Sequence, residues 1–365
     1  MKVVFRVDAS LQIGTGHVMR CLTLADALRQ GGARCVFICR PHEGHLLDLI
    51  AQRGHVAVTL PQLQFQKQDA FASAGGPAHA VWLGTGWDHD AQDTLLSLEG
   101  DVADWLIVDH YALDHRWEQA LRPRCRRLMV IDDLADRVHD CDVLLDQTLG
   151  RHTEDYLSLT PSSCQVLCGS DYALLRPEFA AAREYSLERR RIPQLRRLLV
   201  TMGGVDKDNA TGSVLDALRS SSLPTQCQIT VVMGATAPWL AQIQHQAQSM
   251  PVATQVRADV TDMAHLMADC DLAIGAAGAT SWERCCLGLP SIMLILADNQ
   301  RQVAQSLEQE GAAWLIEHMH DVAKQLPKLL QSLFEDPAAL RAMSKSAANA
   351  VQGHGLNAVI QLLES

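Results

Sequence analysis

Three loops in the first half of the chain carry residue types that can do chemistry, and each follows a short apolar run. After residues 3–7 come Asp8-Ala9-Ser10 and then Ile13-Gly14-Thr15-Gly16-His17, which opens an amphipathic segment over 18–29. Gly14 and Gly16 permit a tight turn and bare the N–H groups of a helix start, where an anion is favoured. The spacing is neither G-x-G-x-x-G nor G-x-x-x-x-G-K-[ST], so neither a dinucleotide fingerprint nor a P-loop is present. An imidazole in this position is a candidate general base; the alternative for His17 is a helix-start residue hydrogen-bonded to a carboxylate such as Asp8. The other two loops are Asp109-His110-Tyr111, after the run 105–108, and Asp132-Asp133-Leu134-Ala135-Asp136-Arg137, after 129–131. Aspartates at strand ends also cap turns and helices, so each alone reads first as structural.

Two loops in the second half suit an anionic ligand. The run 198–201 ends in Met202-Gly203-Gly204-Val205-Asp206, with a helix expected near Asn209. Paired glycines before a helix offer backbone donors to a diphosphate. The run 272–275 passes into Ala276-Ala277-Gly278-Ala279-Thr280-Ser281-Trp282-Glu283. Small residues there admit a ligand close to the backbone, Thr280 and Ser281 add hydroxyls, and a first-turn carboxylate, Glu283, can accept both hydroxyls of a ribose. Its plainer role is a helix-start charge favoured by the dipole. Two glycine loops in one half, set against a histidine loop in the other, suggest a nucleotide-sugar clamped between domains.

The elements that must hold these loops follow from periodicity. Strand-like runs at 3–7, 34–39, 56–60, 105–109, 128–132 and 143–146 alternate with helical segments, and a second series follows at 198–201, 229–233, 254–257, 272–275, 291–296 and 313–316. Such alternation predicts parallel sheets flanked by helices, with ligands outside the C-terminal strand ends. The expected organisation is a first Rossmann-like domain over 1–150, a connection over 151–193 without a strand long enough to extend a sheet, and a second Rossmann-like domain over 194–365 whose last helices can cross back. An interdomain cleft would lie between the two. Residues 62–80, rich in Gln, Ala and Gly, read as a mobile surface loop, and Arg189-Arg190-Arg191 as a solvated helix face.

Composition sets the limits. The 365 residues are 48% hydrophobic with a net charge of −11, which argues against nucleic acid or an anionic membrane as the main partner. Apolar stretches are far shorter than the roughly 20 residues of a membrane span, and the N-terminus lacks a signal-peptide core, so a cytoplasmic chain is expected. Eleven irregularly spaced cysteines without a C-x-x-C pair read as reduced thiols, and His42-x-x-His45 lacks a third ligand at a metal-site spacing. No metal or other cofactor is expected.

Taken in order, Arg6-Val7-Asp8-Ala9-Ser10, Gly14-Thr15-Gly16-His17-Val18-Met19-Arg20-Cys21, Val108-Asp109-His110-Tyr111, Ile131 to Arg137, Asp171-Tyr172-x-x-Leu175-Arg176-Pro177-Glu178-Phe179 and Gly203-Gly204 resemble the nucleotide-sugar hydrolases of pseudaminic acid biosynthesis over nearly the whole chain. The resemblance implies an α/β GT-B fold of two Rossmann-like doubly wound domains. It implies hydrolysis of UDP-2,4-diacetamido-2,4,6-trideoxy-β-L-altropyranose without metal, with His17 activating water and inversion at the anomeric carbon; separately, a monomer is expected. Asp8, Gly14, Gly16, Arg20, Asp109, His110 and Tyr111 would then serve the sugar side, and Gly203, Gly204, Gly278, Thr280, Ser281 and Glu283 the UDP side. The alternatives are a transferase of the same fold, with an acceptor hydroxyl in place of water, and a non-catalytic nucleotide-sugar binder. One departure is Ala277-Gly278-Ala279 where the family commonly has Gly-Gly-Ser/Thr. The hydroxyl at position 279 is absent, leaving Thr280 or Ser281 to replace it.

Overall fold

A computed structural model of the chain describes residues 1–62, 76–258 and 260–365. They form two compact units, one of residues 1–174 with 356–365 and one of 175–355. In the first unit, β1 (Lys2–Val7), α1 (Gly16–Gln30), β2 (Arg34–Cys39), α2 (Leu47–Gln52), β3 (Val56–Thr59), α3 (Trp87–Ser97), β4 (Ala103–Asp109), α4 (His115–Leu121), β5 (Cys125–Ile131), β6 (Val143–Asp146) and β7 (Gln165–Cys168) follow one another. The strands make a parallel sheet in the order β3-β2-β1-β4-β5-β6-β7, so the chain reverses its direction of winding between β1 and β4.

Strand periodicity decides which side chain goes to which layer. Val3, Phe5 and Val7 of β1, with Trp105 and Ile107 of β4, join the core under α1. Val4, Leu106 and Val108 join the opposite core with Trp117 of α4. Arg6 shares that second face, and a buried guanidinium there needs carboxylates. It donates to Asp8 Oδ1 through Nη1 at 2.7 Å and to Asp90 of α3 through Nε and Nη2 at 3.0 and 2.7 Å. Asp90 also accepts from Arg40 and from the Trp117 indole.

The second unit holds α5 (Pro177–Arg189), β8 (Arg197–Thr201), α6 (Ala210–Arg219), β9 (Gln228–Met233), α7 (Leu240–Gln248), β10 (Ala253–Ala258), α8 (Met263–Asp269), β11 (Leu272–Ala276), α9 (Thr280–Cys286), β12 (Ser291–Leu294), α10 (Arg301–Gln309), β13 (Ala313–Ile316), α11 (Val322–Glu335) and α12 (Pro337–Ala350). Its parallel sheet runs β10-β9-β8-β11-β12-β13, with the reversal between β8 and β11. The last helix, α13 (Gly355–Glu364), puts Leu356, Val359 and Leu363 into the first unit's core, and the Trp105 indole donates to Leu363 O at 2.9 Å.

Two expectations differ from this structure, and a third falls largely outside the described residues. The stretch 151–193 does contain a strand that extends a sheet: β7 pairs with β6, and α5 lies in the second unit. Four residues between Cys164 and Gly169 left too short a run to stand out. The basic run is a solvated face only at Arg191, which is exposed. Arg190 is buried with its guanidinium on the carbonyls of Met267, Ala268 and Cys270, and Arg189 pairs with Asp271. Of the loop at 62–80, residues 63–75 lie outside the described residues, and a short 3-10 helix begins at Ala80. Among the described residues no helix is long and apolar enough to cross a membrane.

Candidate active site

The reversal point of a doubly wound sheet opens a crevice at the strand ends, and in the first unit β1 and β4 supply it. Val7 pairs in register with Asp109, so the loops beginning at Asp8 and His110 are neighbours. Alternation then sends Asp109 to the α1 side and His110 to the other. The turn into α1 is closed by Gly14 N donating to Ser10 O, with Gly14 at φ +82°, where a side chain would be strained. Gly16 starts α1, and no side chain caps that helix.

His17, the second residue of α1, is mostly buried and donates from Nδ1 to Asp109 Oδ1 at 2.6 Å. A carboxylate only accepts, so Nδ1 carries a proton in this bond, and in the neutral ring Nε2 is the nitrogen with the lone pair. Nε2 has no hydrogen-bond partner among the described residues. One turn on, Arg20 grips the same carboxylate through Nε at 2.7 Å and Nη2 at 2.8 Å and reaches Asp133 with Nη1 at 2.5 Å. Burial alone would raise the Asp109 pKa; Arg20 and then His17 overcome it and hold the carboxyl well below the usual range. The Tyr111 ring meets His17 edge-on at 4.5 Å, its hydroxyl donates to Asp133, and its face stacks on Trp82 at 5.9 Å. The carboxylate partner of His17 is thus Asp109, not Asp8.

Asp8 anchors a separate cluster on the other face of the sheet. Its Oδ1 accepts from Arg6 and from the Arg40 backbone N–H, while Oδ2 faces His110 Nε2 at 3.3 Å and His42 Nε2 at 3.5 Å. Burial pushes the Asp8 carboxyl up, but Arg6 and then the two histidines hold it well below the ordinary value. His110 accepts the Ala112 N–H at Nδ1, which puts its proton on Nε2, toward Asp8; burial lowers its pKa. The geometry therefore joins His17, Arg20, Asp109 and Tyr111 in one arrangement and Asp8 with His110 in another. Sequence reasoning missed Arg6, Asp90, Arg40, His42, Trp82 and His79, whose ring lies 4.3 Å from that of Trp82.

In the second unit β8 and β11 are adjacent, with Thr201 paired to Gly275, so the two glycine loops lie side by side at the reversal point. Gly203, exposed at φ +90°, and Gly204 turn the chain away from β8. The donors expected at the start of α6 are already taken: Asp206 accepts the N–H groups of Ala210 and Thr211, and Asn209 that of Gly212. After β11, Gly278, Thr280 and Glu283 are partly exposed. Ser281 is wholly buried and its Oγ accepts from Arg284, so it braces the loop from within rather than offering a hydroxyl outward. Glu283 accepts from Arg176 Nη2 at 3.4 Å; burial raises its pKa, with Arg176 opposing.

Comparison with known proteins agrees with this architecture. Residues 198–358 match the glycosyltransferase family 28 C-terminal domain. The chain is 26% identical over 244 residues to the UDP-2,4-diacetamido-2,4,6-trideoxy-beta-L-altropyranose hydrolase of Campylobacter jejuni, covering 67% of this chain and 73% of that protein. An uncharacterised protein of Methanocaldococcus jannaschii is 22% identical over 306 residues, 83% of this chain and 57% of its own length. The chain thus spans little more than half of that archaeal relative. The crystal structure of MurG from Acinetobacter baumannii aligns over 100% of this chain and 99% of its own with a TM-score of 0.68 and 17% identity. Two doubly wound α/β units, matched end to end by that structure, give the chain the GT-B fold.

Proposed function

We propose that the chain hydrolyses a UDP-sugar, with His17 as general base, and that the sugar is 2,4-diacetamido-2,4,6-trideoxy-β-L-altrose. The observation that carries the proposal is the His17–Asp109 pair, which fixes one tautomer and leaves Nε2 to accept a proton. In the reaction water gives its proton to Nε2 while its oxygen attacks the anomeric carbon. The anomeric C–O bond breaks on the opposite side, and UDP leaves with the electron pair. One displacement with one base inverts the configuration. Asp109 stays ionised and stabilises the imidazolium. UDP is a good leaving group, so no strong general acid is required. The loops at Gly203–Gly204 and at Gly278–Thr280, with Glu283 for the ribose, are assigned to the nucleotide. The Campylobacter relative supports the choice of sugar.

The glycosyltransferase domain match favours a second reading, in which a sugar hydroxyl replaces water. Incubating the pure protein with the UDP-diacetamido sugar in 18O-water separates the two. Hydrolysis releases UDP without an acceptor, puts the label on the sugar and gives the inverted anomer first by NMR. Absence of release until an acceptor is added would establish the transferase instead.

A further inference from the structure

Arg284 is fully buried and has no carboxylate within ion-pair distance among the described residues. Its Nη2 donates to Ala276 O at 2.7 Å and to Ser281 Oγ at 3.0 Å, while Nε and Nη1 are buried without a hydrogen-bond partner. Other buried arginines in this chain either pair with Asp, as Arg6 and Arg20 do, or cover several carbonyls, as Arg190 does. An uncompensated buried guanidinium is costly to keep. The backbone makes room for it: a Cβ on Gly275 would stand 2.5 Å from Arg284 Nη1 and 2.6 Å from Thr201 O. The charge therefore lies at the C-terminal ends of β8 and β11, the strands that the two glycine loops follow.

The surroundings leave that place short of positive charge. The first-turn donors of α6 are bound by Asp206 and Asn209, and Arg176 is shared between Glu178 and Glu283. Lys207 is exposed to water, where its field is screened. We infer that Arg284 is a positioning residue whose buried charge holds the diphosphate of the nucleotide through the 276–281 loop. The inference rests on the assignment of UDP to this unit. Burial lowers the Arg284 pKa to about 10, so the guanidinium remains charged at neutral pH.

The test is calorimetric binding of UDP and of uridine to the wild type, Arg284→Met, Arg284→Lys and Lys207→Met. One charge acting on a diphosphate at an effective dielectric of about 20 predicts a loss of UDP affinity of roughly tenfold or more in Arg284→Met. Uridine affinity should stay within about twofold, and Arg284→Lys should keep most of the UDP preference. In the wild type, UDP but not uridine should shift the Arg284 Nε–H resonance, a readout that needs no variant to fold. Equal losses for UDP and uridine, a full loss in Lys207→Met with none in Arg284→Met, or an unmoved resonance would overturn the inference while leaving the nucleotide site standing. A wild type that binds neither ligand overturns the site itself.

Discussion

Replacing Asp109 by Asn changes one carboxylate oxygen to an amide and tests the proposed chemistry at its support. In the wild type the carboxylate accepts from His17 Nδ1 at 2.6 Å and from Arg20 at 2.7 and 2.8 Å. An amide has one acceptor oxygen, for which Arg20 competes, and its NH2 facing His17 favours the tautomer with the proton on Nε2. That tautomer cannot take a proton from water. A charge-assisted hydrogen bond contributes about 1.5–3 kcal/mol, yet loss of the tautomer in a comparable carboxylate–histidine pair lowers kcat roughly 10⁴-fold, equivalent to ~5.5 kcal/mol of barrier. Arg20 retains Asp133 at 2.5 Å, so the variant should fold, with a stability loss of about 3 kcal/mol from the broken buried pair. The assay is steady-state UDP release beside thermal unfolding with and without UDP. Expected are a kcat lower by at least about 10³-fold, a lowered Tm and unchanged UDP affinity. A folded Asp109→Asn protein with kcat within threefold of wild type would refute the role of the pair.

The remaining predictions address other links. His17→Ala should lose roughly 10²–10⁴ in turnover while UDP still protects the protein from thermal unfolding; near wild-type rates remove His17 from the mechanism. Glu283→Gln should weaken UDP by about tenfold and leave 2′,3′-dideoxy-UDP unaffected, since the lost acceptor serves the ribose hydroxyls; equal losses for both ligands count against that contact. Asp132 is held at about 2: burial raises it, but Arg137 and then His139 outweigh that. Its folded value lies below the unfolded one, so it contributes about 2 kcal/mol of stability above pH ~4, lost as pH falls through about 2. Asp132→Asn should therefore show a shallower fall in denaturant midpoint between pH 5 and 2 than wild type, and identical slopes would contradict this.

The sheets were legible because buried parallel strands are continuous apolar runs, and the polar residues that end them mark the loops. His17 and Asp109 could be named as candidates, but their pairing could not, since it depends on β1 lying beside β4. Arg6 carried a readable signal: a charge inside an apolar strand, two residues before Asp8, must share its face. Its second partner, Asp90, lies 84 residues away and is brought there only by the packing of α3. Arg284 follows Glu283 directly in α9, and nothing in its local sequence marks it as buried. Its burial follows from the missing side chain at Gly275, which has meaning only once β8 and β11 are paired. The hydroxyl of Ser281 was misplaced for a related reason, as helix rotation decides which first-turn residue faces inward.

The helix α13 makes the first unit discontinuous in sequence, because Leu356, Val359 and Leu363 complete a core otherwise drawn from residues 1–174. During vectorial synthesis the early portion can collapse, but its α1 face stays partly open until all of 175–355 has been made. Such late closure keeps apolar surface exposed for longer and ties maturation of the His17 site to completion of the second unit. A ribosome stalled before residue 356 would hold a second unit able to finish folding and a first unit still lacking its final helix.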